Sequence, residues 1–325
     1  MHSIVKTAKK YIEKGYSVIP ITKDKNPSIQ SWGQYMYTPI SLSIVEDVFG
    51  PAWGIALLMG GKNHLTAIDV DLKYDLTNTL WNRLQEEIGE ELLSKMWINK
   101  TMNGGFHLVF SCSKTEGNQK LAARYTTDIE KIETFQQELD KGSPAEVALK
   151  AGYSDTTRVL IETRGHGGYI LIAPSPGYQT ISGKIQSITT EEYDFVLDTC
   201  RKFNTYIKPT KNYSIDKFKK DSGSASDILA SFNKTADVVS ILEGYGWTQV
   251  GQDGTRIKLK RPGRSMSKDS GWFDTDSRIF WVFSTSTSFK VCEGYSAVDV
   301  ILTLKSDSDD SYTISSLIKE LTDET

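Results

Sequence analysis

Two short apolar runs, one directly after the other, set the tightest constraint on how this chain folds. Gly54-Ile55-Ala56-Leu57-Leu58-Met59-Gly60-Gly61 reads as a buried strand and turn, and Leu65, Ala67, Ile68 and Val70 read as a second strand. The second run ends in two carboxylates, Asp69 and Asp71. Residues i and i+2 of a strand share a face, and two carboxylates side by side there repel unless a cation lies between them. Hard oxygen ligands on a rigid strand near glycine-rich turns suit Mg²⁺ or Mn²⁺ together with a phosphate-bearing substrate.

The length, 325 residues, fits two domains better than one. With 38% hydrophobic residues the chain can build a proper core, which argues against global disorder. The net charge of −3 does not advertise a nucleic-acid binder, so any such contact requires local clustering of Lys and Arg. Three cysteines, Cys112, Cys200 and Cys292, lie far apart with no C-x-x-C pair, which argues against a disulfide framework and a cysteine zinc site. The first residues begin an amphipathic pattern rather than a signal peptide. No apolar run approaches the roughly 20 residues of a membrane span. A cytoplasmic, intracellular protein without membrane contact is expected. The P-loop pattern G-x-x-x-x-G-K-[ST] is absent, so no P-loop motor is expected within the chain.

In chain order, Ile4, Val5, Ala8, Tyr11 and Ile12 predict a helix closed by Gly15, and Tyr16–Ile21 a short strand. Lys23–Pro27 is a turn with two lysines, and Ser41 caps a short helix to Phe49. Leu80, Trp81, Leu84, Ile88 and Leu92 predict a second amphipathic helix. Trp97–Thr101 reads as a strand that turns at Asn103-Gly104-Gly105 into Phe106–Phe110, with His107 and Val109 on one face. Residues 118–155 are polar and helical in flavour and read as an insertion between two sheet segments. Arg158–Glu162 is the next strand, followed by a phosphate-friendly loop, Thr163–Gly168, then Tyr169–Ser175; Ser187–Phe203 is helical. Lysines and Ser-Gly-Ser then mark residues 206–226 as a basic flexible linker between a domain at 1–205 and a smaller one at 227–325.

The unusual polar groups of the first domain are Asp69, Asp71, His107 behind Gly104-Gly105, and Glu162 ahead of Arg164. Three carboxylates on adjacent strands can hold two divalent cations about 4 Å apart, which polarise an attacking hydroxyl and stabilise a leaving pyrophosphate. A histidine on the neighbouring strand, with Gly104 and Gly105 admitting backbone N–H groups, can hold a triphosphate. Arg164 can add a charge-assisted contact to phosphate. This is the chemistry of nucleotidyl transfer from a nucleoside triphosphate.

The order Asp-x-Asp, then Thr-x-x-Gly-Gly-x-His, then Ile-Glu-x-Arg-x-x-Gly-Gly-Tyr-x-x-x-Ala-Pro-Ser resembles the primase-polymerase group of the archaeo-eukaryotic primase superfamily. Gly15–Pro20 with Lys25 and Pro27, and Trp53-Gly54-Ile55, are similar too; the resemblance spans about residues 1–205. It implies an α+β fold, a modified RNA-recognition-like sheet joined to an N-terminal α/β module with the active site in the cleft between them. It implies template-directed DNA synthesis with Mg²⁺ or Mn²⁺, often with primer synthesis. Carried over, Asp69, Asp71 and Glu162 are the metal ligands, and His107 contacts the incoming dNTP or NTP, helped by Thr101 and Arg164. Relatives often carry Asp at the third acidic position, where this chain has Glu162. The implied partners are single-stranded DNA template and primer, with a replicative helicase on another chain, in a phage, plasmid or other mobile element. Two rivals use the same fold: an end-joining repair polymerase or template-independent nucleotidyltransferase, and a non-catalytic origin-binding replication protein.

The last hundred residues are similar in layout to the zinc-binding domain of bacterial-type primases, but Arg, Pro and Ser stand where that domain has its ligands. Cys292 alone cannot hold zinc, so no zinc is expected and the domain reads as a metal-free α+β version. Lys260, Arg261 and Arg264 gather there with Trp272 among them. Basic groups interleaved with aromatics suit a single-stranded template.

Overall fold

Helix α1 (Ser3–Glu13) buries Ile4, Val5 and Ala8 along one stripe, and Gly15, at φ +81°, turns the chain out of it. The computed structural model describes residues 3–207 and 223–323. The chain divides into two compact units, Met1–Tyr206 and Ile207–Thr325.

In the first unit β1 (Val18–Ile21) is followed by a 3₁₀ turn capped by Ser41, which runs into α2 (Val45–Phe49). Next come β2 (Gly54–Leu58) and β3 (Leu65–Val70). The predicted second helix is two: α3 (Leu80–Ile88) and α4 (Glu90–Leu93). Gly89, at φ +84°, separates them while Leu84, Ile88 and Leu92 keep their apolar spacing. Then follow β4 (Trp97–Lys100), β5 (Phe106–Ser111), β6 (Lys120–Tyr125), α5 (Asp128–Asp140), α6 (Ala145–Ser154), β7 (Thr157–Arg164), β8 (Tyr169–Ile172), β9 (Gln179–Ser182) and α7 (Thr190–Arg201).

The unit holds two antiparallel sheets, of order β1-β2-β8 and β6-β7-β3-β5-β4-β9. Alternation sorts the larger sheet into two faces. Ile68, Val70, Leu108 and Phe110 pack against Leu80, Leu84 and Ile88 of α3 and Val196 and Leu197 of α7. Leu65, Ala67, Trp97 and Val109 face the other way and meet α1, α2, β2 and β8. Ser175 anchors that side: its hydroxyl accepts from Ile55 N at 2.9 Å and donates to Ile55 O at 3.1 Å.

Residues 118–155 are not simply an insertion. β6 is an edge strand of the main sheet paired with β7, and only the α5–α6 hairpin projects from it. α5 starts at a reciprocal cap between Thr127 and Glu130 and buries none of its residues.

Residues 208–222 of the stretch read as a linker lie outside the described residues. The last residues of that stretch, 223–226, belong to α8 (Gly223–Thr235). The second unit continues with α9 (Val238–Gly244), β10 (Thr248–Asp253), β11 (Arg256–Lys260), β12 (Gly271–Asp274), β13 (Ile279–Val282), β14 (Gly294–Tyr295), α10 (Ala297–Ser306) and α11 (Ile314–Asp323). The strands form one antiparallel sheet in sequence order. Leu259, Phe273, Phe280 and Val282 cover one face with α9 and α10, while Trp272, Trp281 and Phe283 cluster apart from them. Both units are therefore α+β. Among the described residues no helix is long and apolar enough to cross a membrane.

Leu84→Ala, which empties a fully buried position between α3 and the sheet, is expected to cost about 2–5 kcal/mol. Ile132→Ser, on the exposed side of α5, is expected to change stability by under about 0.5 kcal/mol. Urea unfolding of the two variants measures the difference, and a similar cost for both would place Ile132 in a contact that the chain alone does not make.

Candidate active site

Residues directly opposite one another in an antiparallel ladder point to the same face. Glu162 on β7 lies opposite Asp69 on β3, Asp69 opposite His107 on β5, and His107 opposite Asn99 on β4. A single polar row thus crosses four strands on the face that carries Ala67, Val109 and Trp97 into the apolar core. Arg164, two residues beyond Glu162, shares that face and lies opposite Ala67. Asp71 lies just past the end of β3, but its backbone stays extended (φ −97°, ψ 92°) and its N–H donates to Leu160 O at 2.9 Å. Asp69, Asp71 and Glu162, with Tyr74 and residues 157–160 of β7, line one cavity of about 250 Å³.

The row is electrostatically loaded. Burial pushes the Asp69 carboxyl up to about 6, partly opposed by Arg164 and reinforced by the charge of Asp71. Burial likewise holds Glu162 above the usual carboxylate range, with Arg164 opposing. Arg164 forms an ion pair with Glu162, and its Nε is 3.7 Å from Asp69 Oδ2. Lys73 Nζ stands 3.3 Å from Asp71 Oδ2. His107 is pushed down to about 3 by burial, helped by Arg164 and Lys25, so its ring is neutral at neutral pH. Its Nε2 lies 3.6 Å from Asp69 Oδ1, and with the ring uncharged that approach is not an ion pair.

Asp69, Asp71, Glu162, His107 and Arg164 are thus brought together. Thr101, Gly104 and Gly105 form the turn between β4 and β5: Thr101 N donates to Gly105 O at 2.8 Å, and Gly104 takes φ +84°. Gly105 is required sterically, since a Cβ there would sit 2.2 Å from Val70 O, at the end of the acidic strand. The loop after β7 departs from expectation. Gly165 N donates to Asn118 Oδ1, His166 N to Glu116 O and Gly168 N to Gly165 O. These N–H groups are spent within the protein and do not form a phosphate cradle. A Cβ on Gly165 would meet Glu116 O at 1.9 Å, so the glycine serves close packing of the chain on itself.

Three further residues belong to the site. Asn99 is fully buried beside His107, and neither Asn99 Oδ1 nor His107 Nδ1 has a hydrogen-bond partner among the described residues. Tyr178 lies over His107 with ring centroids 6.2 Å apart, and burial followed by the charge of Asp69 pushes its hydroxyl up to about 12. Lys25, at φ +63°, sends its positive charge toward both Asp69 and His107. A polar residue in the apolar run Trp97-Ile98-Asn99 was a readable signal for the first; Tyr178 had none.

The remaining candidates, Lys260, Arg261, Arg264 and Trp272, belong to the second unit. Trp272 is only 6% exposed and stacks on Trp281, with the Arg256 guanidinium 4.2 Å from its ring centre. The expectation of a stacking platform there is corrected, because the ring is already sandwiched within the protein.

Among the described residues no three Asp, Glu, His or Cys side chains already converge as ligands of one metal ion. The reason is visible in the contacts: Arg164 reaches both Asp69 and Glu162, and Lys73 reaches Asp71. The donor set itself, three carboxylates on one cavity with two held above their usual range, has the oxygen chemistry of a hard divalent cation. Such an ion would compete with Arg164 and Lys73 for those oxygens.

A family model described as bifunctional DNA primase/polymerase, N-terminal, matches residues 8–193. No curated protein matches the chain.

An Asp that ionises near 3.8 when unfolded and near 6 here binds its proton more tightly in the folded state. Its ionisation therefore costs stability as pH climbs between those values, and the full cost applies above them. Asp69→Asn removes that cost. In metal-free buffer at about pH 7.5 the variant is expected to be more stable in urea by about 1–3 kcal/mol, and the gain should vanish near about pH 3.5. A loss of stability at the higher pH would mean that pairing with Arg164 outweighs burial.

Proposed function

The chain belongs to the bifunctional DNA primase/polymerase family, and on that premise we propose that its first unit carries out template-directed nucleotidyl transfer from dNTPs or NTPs, in both primer synthesis and extension. The observation that supports this most is the row Glu162, Asp69, His107, with Asp71 and Arg164 beside it, whose three carboxylates line one cavity. Asp69, Asp71 and Glu162 would hold Mg²⁺ or Mn²⁺. Two such ions supply a polarised attacking 3′-hydroxyl and charge neutralisation at the leaving pyrophosphate.

The roles of the side chains follow from their surroundings. Arg164 neutralises Asp69 and Glu162 in the metal-free protein. Released from them, its guanidinium is free to make charge-assisted hydrogen bonds to phosphate oxygens two strand positions away. His107, neutral and buried, can donate one ring N–H to the triphosphate without adding a charge beside Asp69. The turn Thr101–Gly105 holds the β4–β5 hairpin against the end of β3, so that His107 stays in register with Asp69. Single-stranded template and primer are the proposed partners.

The test is nucleotide incorporation on unprimed and primed single-stranded templates with Mg²⁺ and then Mn²⁺. Synthesis on both is expected, falling by about 10³-fold or more in Asp69→Ala/Asp71→Ala. Extension of the primed template alone would assign a repair polymerase. Duplex origin binding without incorporation under any condition would overturn the catalytic reading.

A further inference from the structure

The second unit has its own concentration of charge, at one end of its sheet. β11 ends at Lys260, β12 begins at Gly271 and β13 ends at Val282, and the pairs Leu259–Gly271 and Gly271–Val282 lie side by side. The loops 261–270 and 283–287 therefore leave the sheet at the same end. They are stitched together: Phe283 N and Ser284 N both donate to Ser270 O at 3.2 Å, and Arg261 Nε donates to Ser284 Oγ at 3.3 Å.

Arg261 is held in an unusual way. Its other bonds run to Pro262 O at 2.9 Å and Arg264 O at 2.7 Å. All three acceptors are neutral, so the guanidinium is fixed in place with its charge uncompensated. Lys260, Arg264 and Lys268 surround it in sequence, with Asp269 the one acid of the loop, and among the described residues none of the four cations forms an ion pair. Three other cations of the unit are matched: Lys305 with Glu320 at 2.6 Å, Lys258 with Asp253 at 3.9 Å, Arg256 with Asp274 at 4.0 Å. Arg278 also binds carbonyls, but those of Asn233 and Ala236, at the negative end of α8. The loop carbonyls around Arg261 carry no such helix field.

The same loops are rich in hydroxyls. Ser267 and Ser270 are buried, at 2% and 0% exposure, and neither Oγ has a hydrogen-bond partner among the described residues. A buried hydroxyl without a partner costs about 1–3 kcal/mol, so these two loops carry polar groups that the fold leaves unmatched. Trp272 and Trp281 are both buried, so neither ring is offered to a base; Tyr245, 38% exposed, is the neighbour of Gly246, which lies against Pro262. Fixed cations beside the exposed hydroxyls of Thr285 and Ser286 suit phosphate oxygens, a contact that carries no sequence information.

We propose that loops 261–270 and 283–287 form a phosphate-binding site that seats the backbone of single-stranded DNA without regard to sequence. The proposal deepens the template contact in the functional reading above, but binding is measured without catalysis, so the two can fail separately. The probe is fluorescein-labelled oligo-dT, with oligo-dA as a second sequence, titrated against the full chain at several salt concentrations. The variant is Arg264→Gln/Lys268→Gln, since among the described residues neither side chain makes a hydrogen bond or ion pair, and Arg261→Lys is the companion that keeps charge but loses the fork. Each lost phosphate contact lowers the salt slope by about 0.7, so the double variant is expected to bind about 10- to 30-fold more weakly near 0.1 M salt, equally for both sequences. A parallel thermal-shift titration with inorganic triphosphate separates the sources. Loss of its stabilisation in the double variant with DNA affinity unchanged would overturn the backbone assignment and give the site to a nucleotide triphosphate. Unchanged affinity and salt slope for DNA, with triphosphate response intact, would overturn the site altogether.

Discussion

The first unit is arranged around a carboxylate that the surrounding protein makes hard to ionise. Asp69 lies on an inner strand with Glu162 opposite on one side, Asp71 two residues on, and an apolar core one pair away. Left to itself such a group turns toward water. It cannot here, because Ile68 and Val70, its neighbours on β3, are buried under α3 and α7 on the opposite face. A one-residue slip of the strand would move Asp69 into that core and its apolar neighbours out of it, so the helices on one face fix the acid on the other. Arg164 then makes the arrangement tolerable. Alternation along β7 puts it on the same side as Glu162, within reach of both carboxylates.

Much of this was legible. The period-2 runs around Leu65–Val70 and Phe106–Phe110, and the 3.6-residue stripes of α1 and α3, are strong patterns because one face of each is buried in a continuous core. The site residues were legible because strand alternation is rigid, so acids, His107 and Arg164 declare their face by parity. What failed did so for local reasons. β6 is an edge strand with two alanines and an inward arginine, Arg124, which pairs with Glu130; its composition reads as polar insertion. Gly89 breaks a helix whose apolar spacing continues through the break, so the stripe conceals the turn. Glycines after β7 suggest ligand approach, yet a glycine equally admits another stretch of the same protein, and Gly165 admits Glu116. Tyr178 meets His107 across 71 residues of chain (178 − 107), a contact no periodicity announces.

The second unit teaches the same distinction between composition and placement. Its tryptophans and cations are interleaved in sequence, which suggested a mixed stacking surface. In the fold they separate: Trp247 joins the helix-covered core, Trp272 and Trp281 form their own buried cluster, and the uncompensated cations collect at the loop end of the sheet. Arg256 is committed to the buried Trp272 ring and to Asp274.

The neutrality of His107 follows from the same economy of charge that governs Asp69. A protonated imidazole 3.6 Å from Asp69 Oδ1 would itself be the counter-ion of that carboxylate, and a cation arriving from solution would have to displace it. Burial acts first to prevent this, and the positive fields of Arg164 and Lys25 act in the same direction. The cations that do balance the acids, Arg164 and Lys73, are partly exposed and reach in on long side chains, so they can be exchanged for another partner at little conformational cost. His107, pinned between Asn99 and Asp69 in the sheet ladder and covered by Tyr178, cannot move away in the same fashion. A fixed neutral histidine and removable positive charges leave the negative charge of the row balanced only by partners that can be exchanged.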